Sequence, residues 1–305
     1  MRRQVWRSFI RGLAALKVVV RLIALLILIP ALVGCTSVGE ENSSGTKSST
    51  KVIIDGSDTM AVLMGALSRQ FSDQHHGIAV EIISTDSGNG IAKLFDKGAD
   101  IAAASRDLTD DESHIAESRH LKLKKVMIAR DAIAVIVNPK NKLICLTIPE
   151  LRSIYLGKQT NWKDFGAAEG PIKVFARESK SGTSRYFKEH VLDKHDYPSS
   201  DEVLLSQDEV IKRVADNPSA IGYVGMVESK NAGSSIKVVQ LKLMNSSSEG
   251  VKPSQETLVS DYPLGRPLYL MYGVESSPNS KKFVDFCSSR VAQKIIKEAG
   301  FVSVR

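Results

Sequence analysis

Three stretches of this sequence place small polar residues between an apolar, strand-like run and the start of a helix. They are Ser57-Asp58-Thr59, Ser87-Gly88-Asn89-Gly90 and Ser181-Gly182-Thr183. A helix start leaves about four backbone N–H groups unpaired and carries partial positive charge, so it attracts anions. Glycine lets the backbone approach a ligand closely, and hydroxyl groups donate further hydrogen bonds. One such loop is weak evidence, but three in one chain predict a tetrahedral oxyanion bound by converging donors.

Two arginines follow strand-like runs directly and could supply fixed charge. They are Arg106 and Arg177. Open α/β sheets bind their ligands at the carboxyl ends of the strands, and a guanidinium group matches two oxygens of a phosphate. Either arginine could instead cap a loop or pair with a carboxylate such as Asp107 or Glu178.

The sequence gives little support for catalysis or for a metal centre. Lys180-Ser181-Gly182 is faintly similar to one motif of penicillin-recognising serine enzymes, but the accompanying Ser-Asp-Asn motif and a Gly-x-Ser-x-Gly elbow are missing. The histidines lack the i, i+4 spacing of helical metal ligands. We therefore expect a non-enzymatic protein with no metal and no cofactor.

The elements that must position these residues alternate between strand and helix from Lys51 onward, which predicts a mostly parallel sheet with helices on both faces. In the first half, the predicted strands are 51–55, 78–83, 99–105, 122–129 and 131–137, and the predicted helices are 60–71, one from Ile91, and 110–118. In the second half, the predicted strands are 172–176, 221–224 and 267–272, and the predicted helices are one capped by Thr147, 183–192, 208–215 and 278–299. The segment 245–253 is polar and typical of a loop.

The first 34 residues have the features of a signal peptide. Six basic residues and no acid accompany the apolar run 22–33, which is shorter than the ~20 residues a membrane span needs. The run ends in Leu32-Val33-Gly34-Cys35, which resembles the lipobox of bacterial lipoproteins and implies cleavage before Cys35 and lipidation of its thiol. Cys35 and the Ser/Thr/Gly-rich segment after it, 35–50 in all, then form a lipidated, flexible tether. The alternative is a retained anchor helix, although Lys17 and Arg21 interrupt any longer apolar span. Both interpretations tether the domain outside the cytoplasm.

Composition excludes one class of partner and leaves the cysteines open. The formal net charge is +7, but the six basic residues of the signal peptide supply most of it, so we expect no nucleic-acid partner. Cys145 and Cys287 could pair in an oxidising compartment or could both be buried thiols. They form no metal or redox motif, which slightly favours the second interpretation. The length of 305 residues exceeds the usual size of a single core even without the signal peptide, so two lobes are expected.

Six segments, considered together, resemble one known family. They are GSDTM (56–60), SGNGI (87–91), ADIAAASR (99–106), LTIPELRSIYLGKQTNW (146–162), ARESKSGTSRYF (176–187) and NPSAIGYVGM (217–226). Their order and combination resemble the periplasmic phosphate-binding proteins, the substrate-binding component of phosphate ABC importers, here in lipoprotein form. The resemblance implies a type II periplasmic binding protein fold, in which two Rossmann-like α/β lobes are joined by two crossover strands near residues 136–140 and 258–266. It places lobe I at 51–136 plus 263–305 and lobe II at 137–262.

The resemblance also assigns the site residues and marks two departures. The implied phosphate contacts are Ser57, Asp58, Thr59, Met60, Ser87, Gly88, Arg106, Arg177, Ser181, Gly182 and Thr183. The family usually has an acid where Ser179 stands, and often glycine where Lys180 stands, so Arg177 could be oriented by Glu178 or Asp58 instead. Phosphate near neutral pH carries a proton that sulfate lacks, and Asp58 is the best candidate to accept it. The alternative is that Asp58 only caps the helix 60–71.

The function implied is extracytoplasmic binding of inorganic phosphate, as a monomer, and delivery to the permease subunits of an ABC importer. Two alternatives stay open. The same cage could bind another oxyanion such as sulfate, molybdate or tungstate, or the chain could be a lipid-anchored phosphate sensor or adhesion protein without transport.

Overall fold

The computed structural model describes residues 50–198, 202–242 and 250–305. The predicted signal peptide and the lipidation of Cys35 lie outside these residues, as does most of the predicted loop 245–253. None of the helices in the described ranges has the length and hydropathy to cross a membrane.

Within the described ranges, the strands form a ten-stranded mixed sheet and a separate two-stranded one. In chain order the strands are β1 (Lys51–Ser57), β2 (Ala79–Thr85), β3 (Ile101–Ala104), β4 (Leu123–Val137), β5 (Cys145–Thr147), β6 (Lys173–Arg177), β7 (Glu202–Leu204), β8 (Ala220–Gly225), β9 (Lys237–Val238), β10 (Gln240–Lys242), β11 (Gly265–Gly273) and β12 (Val302–Ser303). The order in the large sheet is β2-β1-β3-β11-β4-β8-β6-β7, with β9 and β12 also paired to β4, and β5 pairs with β10. Strands β2, β1 and β3 are parallel, as predicted, whereas β11 and β4 run antiparallel to their neighbours.

The helices lie between these strands. They are α1 (Ala61–Gln74), α2 (Ser87–Phe95), α3 (Asp110–Ser118), α4 (Ile148–Tyr155), α5 (Gly182–His190), α6 (Gln207–Asp216), α7 (Met226–Asn231), α8 (Thr257–Ser260), α9 (Pro278–Cys287) and α10 (Arg290–Glu298). The predictions of α3 and of the Thr147 cap on α4 are confirmed, and each of these helices begins with a reciprocal capping box.

Two predicted elements were wrong in extent. The helix predicted over 278–299 is two helices, because Ser289 accepts a hydrogen bond from the Ala292 N–H and starts α10 anew. The helix predicted from Ile91 begins at Ser87, where Asp86 caps it. In both cases a short polar side chain satisfies backbone N–H groups and decides where the helix begins.

Strand β4 links two halves of the molecule, one built on β1, β2, β3 and β11 and the other on β6, β7 and β8. The sequence predicted separate strands over 122–129 and 131–137, but β4 is continuous over 15 residues. Its first part pairs with β11 up to Ala132, opposite Gly265, and its second part pairs with β8 from Ile133, opposite Gly225. The pairing therefore changes a few residues before the predicted crossing at 136–140. The lobe boundaries themselves stay a prediction.

Each half has its own hydrophobic core. In one, Phe71 of α1 meets Phe283 of α9 edge to face at 5.2 Å, beneath β1, β3 and β11. In the other, Phe187 of α5 stacks on Tyr223 of β8 at 4.1 Å. Burying side chains of this size stabilises the fold by about 1.5–3 kcal/mol each.

The two cysteines of the described residues are free thiols. Cys287 is buried in the core beneath β1, and burial raises the pKa of its thiol. Cys145 is partly exposed on β5 in the other half. The alternative of two unpaired thiols is therefore the one the structure adopts, although only Cys287 is buried.

Candidate anion-binding site

The three loops singled out in the sequence meet across the gap between the two halves. The first loop (57–60) follows β1, the second (86–90) opens α2, and the third (177–183) joins β6 to α5. The Gly88 N–H of the second loop donates to the Lys180 carbonyl of the third at 3.2 Å. The Thr59 and Thr183 hydroxyl oxygens, from the first and third loops, lie 3.4 Å apart. Elements that are far apart in sequence thus form one cleft.

The third loop has the form of an anion-binding helix start. Ser181 caps α5 by accepting a hydrogen bond from the Ser184 N–H, and Ser181, Gly182 and Thr183 are all buried. The Ser184 hydroxyl donates to the Arg177 carbonyl at 2.9 Å, which holds the strand end against the helix start. The α5 N-terminus therefore faces the cleft with hydroxyl groups and backbone N–H groups on a fixed frame.

Gly182 is required by close approach rather than by backbone conformation. A Cβ atom there would collide with the hydroxyl oxygens of Ser87 and Ser105, which belong to the opposite half. Ser87 is fully buried, and its Oγ accepts a hydrogen bond from the Ser105 N–H at 3.1 Å. Because position 182 has no side chain, the start of α5 can approach the Ser87 and Ser105 side chains this closely.

Arg177 is buried and only partly engaged. Its Nη2 donates to Asp58 Oδ2 and to the Leu205 carbonyl, both at 2.9 Å. Its Nε and Nη1 are buried and have no hydrogen-bond partner among the described residues. The proposed orientation by Asp58, rather than Glu178, is the one observed. Two charged donors remain for a ligand.

Asp58 does not act as a cap of α1. Its Oδ1 accepts from the adjacent Thr59 N–H at 2.8 Å, and its Oδ2 pairs with Arg177. Helix α1 begins at Ala61 with no side-chain cap. Asp58 is therefore an ion-pair partner that reaches from one half of the molecule to the other.

Arg106 is held by a carboxylate that sequence reasoning did not name. Its Nη1 and Nη2 donate to both oxygens of Glu112 at 2.7 and 2.8 Å, and Nη1 also donates to the Asp107 carbonyl. Burial alone would raise the pKa of Glu112, but the hydrogen bonds and charge of Arg106, with hydrogen bonds from Thr109, lower it below its ordinary value. Arg106 thus ties the end of β3 to the start of α3 and pairs with a carboxylate, which was the alternative to anion binding in the sequence. Among its nitrogens, only Nε lacks a hydrogen-bond partner in the described residues.

A third arginine, Arg266 of β11, lies behind the first and third loops. Its Nε and Nη2 donate to Asp131 Oδ2 at 3.1 and 2.7 Å in a fully buried ion pair. Its Nη1 donates to the Thr183 hydroxyl at 2.7 Å and its Nη2 to the Thr59 hydroxyl at 3.2 Å. A single guanidinium group therefore contacts both halves.

A further carboxyl group lies next to this ion pair. A Cβ atom at Gly225 would lie 3.3 Å from Asp131 Oδ2 and would collide with Glu228 Oε2. Burial and the negative charge of Asp131 raise the pKa of Glu228 to about 8. Both effects favour the uncharged, protonated form of this carboxyl group.

The mouth of the cleft is basic. A cavity of about 330 Å³ is lined by residues of both halves, among them Arg106, Ser179, Lys180 and Arg185. Lys180 therefore adds positive charge at the mouth, as expected, and Ser179 lines it without a carboxylate. Within the described ranges, no three His, Cys, Asp or Glu side chains are grouped so that they could hold a metal ion.

A sequence profile described as a PBP superfamily domain matches residues 41–291, most of the chain. The chain belongs to the PBP superfamily. The phosphate-binding protein PstS of Staphylococcus saprophyticus is 28% identical over 272 residues, which are 87% of this chain and 84% of that protein. The corresponding protein of Staphylococcus aureus is 26% identical over 258 residues, 82% of this chain and 77% of that protein.

Solved structures agree with this assignment. A Clostridium perfringens structure with bound phosphate, described as a phosphate ABC transporter substrate-binding protein, matches with a TM-score of 0.73 and 29% identity over 84% of this chain and all of that one. An ABC-type phosphate transport receptor from Vibrio cholerae matches with a TM-score of 0.67 and 28% identity over 82% of this chain and 99% of that one. This PBP superfamily protein has the two-lobed type II fold that the sequence predicted.

Four charged residues near the cleft of this PBP superfamily protein were not predicted from the sequence: Glu112, Asp131, Glu228 and Arg266. Asp131 and Arg266 carried a usable signal, since each is a charge at the edge of an apolar, strand-like run. A charge in a buried strand needs a partner, and β4 and β11 place the two residues directly opposite each other. That pairing depends on the register of strands far apart in sequence, which the residue pattern does not reveal.

Proposed function

We propose that this protein binds inorganic phosphate between its two lobes, outside the cytoplasm, and delivers it as a monomer to the permease of an ABC importer. The observation that carries the proposal is the pair of buried donors on Arg177, Nε and Nη1, which have no partner among the described residues. A buried charged donor left unpaired costs about 1–3 kcal/mol or more, so these two donors support a site for an anionic partner. The choice of phosphate is supported by the Staphylococcus relatives and by the Clostridium and Vibrio structures, whose descriptions all name phosphate.

Hydroxyl and backbone donors complete the proposed cage. The Ser57 hydroxyl is also buried without a partner in the described part of the chain. Together with Thr59, Ser87, Ser181 and Thr183 it would surround the anion from both lobes. Each arginine near the cleft already has a carboxylate partner, so the cage holds its ligand through directed hydrogen bonds rather than through a large net charge.

Closure follows from the contacts across the cleft. The Asp58–Arg177 ion pair, the Gly88–Lys180 hydrogen bond and the approach of Gly182 to Ser87 all require the lobes to be close together. Phosphate, by bridging donors on both lobes, would shift the population towards this closed form.

Asp58 is the residue we assign to phosphate selectivity. Its carboxylate accepts one hydrogen bond at each oxygen from within the protein, so lone pairs remain for the proton that phosphate carries. Replacing Asp58 with Asn should reduce the preference for phosphate over sulfate, because the amide supplies one acceptor and adds a donor that sulfate can use. A phosphate-to-sulfate affinity ratio equal to that of the parent would exclude this role.

The test of the proposed function is calorimetry of the purified protein with phosphate, sulfate, molybdate and tungstate. We expect phosphate to bind most tightly. Tighter binding of another oxyanion would show that phosphate is not the ligand. A second assay measures phosphate uptake by membranes that hold the cognate permease: a transport protein stimulates uptake, whereas a sensor or adhesion protein does not.

A further inference from the structure

Arg266 has contacts that a purely structural ion pair would not need. It is 1% exposed and lies at the start of β11, opposite Asp131 of β4 in the sheet. Strands β4 and β11 pair where the two lobes join. From there the guanidinium group donates to Thr59 of the first loop and to Thr183 of the third, 3.2 and 2.7 Å away.

These two hydrogen bonds restrict where the threonine protons can point. A hydroxyl group has one proton and two lone pairs. Because Arg266 can only donate, each threonine oxygen accepts from it, and each hydroxyl proton must point away from the guanidinium group. The two oxygens are 3.4 Å apart, so at most one proton can be used between them. At least one hydroxyl proton is therefore left to donate to another acceptor.

Asp131 fixes the guanidinium group in the orientation that this requires. Its Oδ2 accepts from both Nε and Nη2, which defines the plane of the group and leaves Nη1 directed at Thr183. Lysine could neutralise Asp131, but its single ammonium nitrogen cannot reproduce the planar set of donors. The position therefore requires the shape of arginine as well as its charge.

We infer that Arg266 is a positioning residue of the anion site, which orients the Thr59 and Thr183 hydroxyls as donors into the cleft and links the two lobes when the ligand is bound. This inference rests on the proposed function, because it assigns those two hydroxyls to the anion. Arg266 acts through the threonines and is not itself a ligand.

The experiment measures phosphate affinity by calorimetry, and thermal unfolding without ligand, for five variants. They are Arg266→Lys, Arg266→Met, Thr183→Val, the double variant Arg266→Met/Thr183→Val, and Arg130→Met as a control. Arg130 is an exposed arginine next to Asp131 on the same strand, so its variant makes the same chemical change outside the site. Arg266→Lys keeps a positive charge beside Asp131 and can be measured even if Arg266→Met does not fold.

We expect Arg266→Lys, Arg266→Met and Thr183→Val each to weaken phosphate binding by about tenfold or more, since each removes or misdirects a donor to a charged ligand. The double variant should lose less than the product of the two single effects, because Arg266 acts in part through the Thr183 hydroxyl that Thr183→Val already removes. A merely structural arginine would lower the unfolding temperature and leave the affinity of the folded protein unchanged.

Two results would overturn the inference alone: phosphate affinity of Arg266→Lys within about threefold of the parent, or multiplicative losses in the double variant. Failure of the parent and of Arg130→Met to bind phosphate would instead overturn the proposed function, and this inference with it.

Discussion

Replacing Arg177 with Met is the most direct test of the cleft. The change removes the two buried donors, Nε and Nη1, that have no partner among the described residues. A hydrogen bond to a charged group contributes about 1.5–3 kcal/mol, so two contribute about 3–6 kcal/mol. Each 1.4 kcal/mol corresponds to about tenfold in affinity, and phosphate binding should therefore weaken by about a hundredfold to ten-thousandfold.

The assay is calorimetry with phosphate, accompanied by thermal unfolding without ligand. The matched control is Arg213→Met, since Arg213 belongs to the same lobe, is half exposed and pairs with Glu202 at the surface. Asp58 loses its partner in Arg177→Met, but its side chain is 21% exposed and can be solvated, so the variant should fold. If its phosphate affinity falls by less than about tenfold while Arg213→Met matches the parent, Arg177 does not bind the anion and our interpretation of its free donors is wrong.

Three further changes probe closure, pH dependence and the anchor. Gly182→Ala should weaken phosphate binding by about tenfold or more, because the added Cβ would keep the lobes apart. The control Gly170→Ala has nothing near its added Cβ and should bind like the parent. Equal phosphate affinities of Gly182→Ala and the parent would exclude the close approach as a requirement for binding. The folded protein should lose stability as the pH rises from 4.5, the ordinary pKa of a glutamate, towards about 8, because in this range only the folded state keeps the proton on Glu228. Thermal unfolding of Glu228→Gln should lack this loss. Parallel curves of unfolding temperature against pH for the variant and the parent would contradict the assignment. Cys35→Ser should release the protein from membrane fractions, and an unchanged distribution would favour a retained anchor helix.

Much of the fold followed from local patterns. The alternation of apolar runs and helical segments predicted parallel strands before and after α1 and α2, and the Thr147 cap placed α4 correctly. The errors arose where tertiary pairing overrides local signals. Strand β4 stays continuous through Arg130 because β11 pairs with it on one side, and no local pattern announces a partner more than a hundred residues away.

The composition of the cleft was accessible from the sequence, since a strand end, a small-polar loop and a helix start are local features. All three predicted loops meet in the structure, and Arg177 lies among them with free donors. What the sequence could not determine is which charges face each other. Arg106 pairs with Glu112, and Asp58 reaches Arg177 from the opposite lobe. Arg266 is held by Asp131 and donates to Thr59 and Thr183. Helix starts depend on residues within one turn of the chain, whereas these pairings depend on strand register and lobe packing, which only the tertiary structure decides.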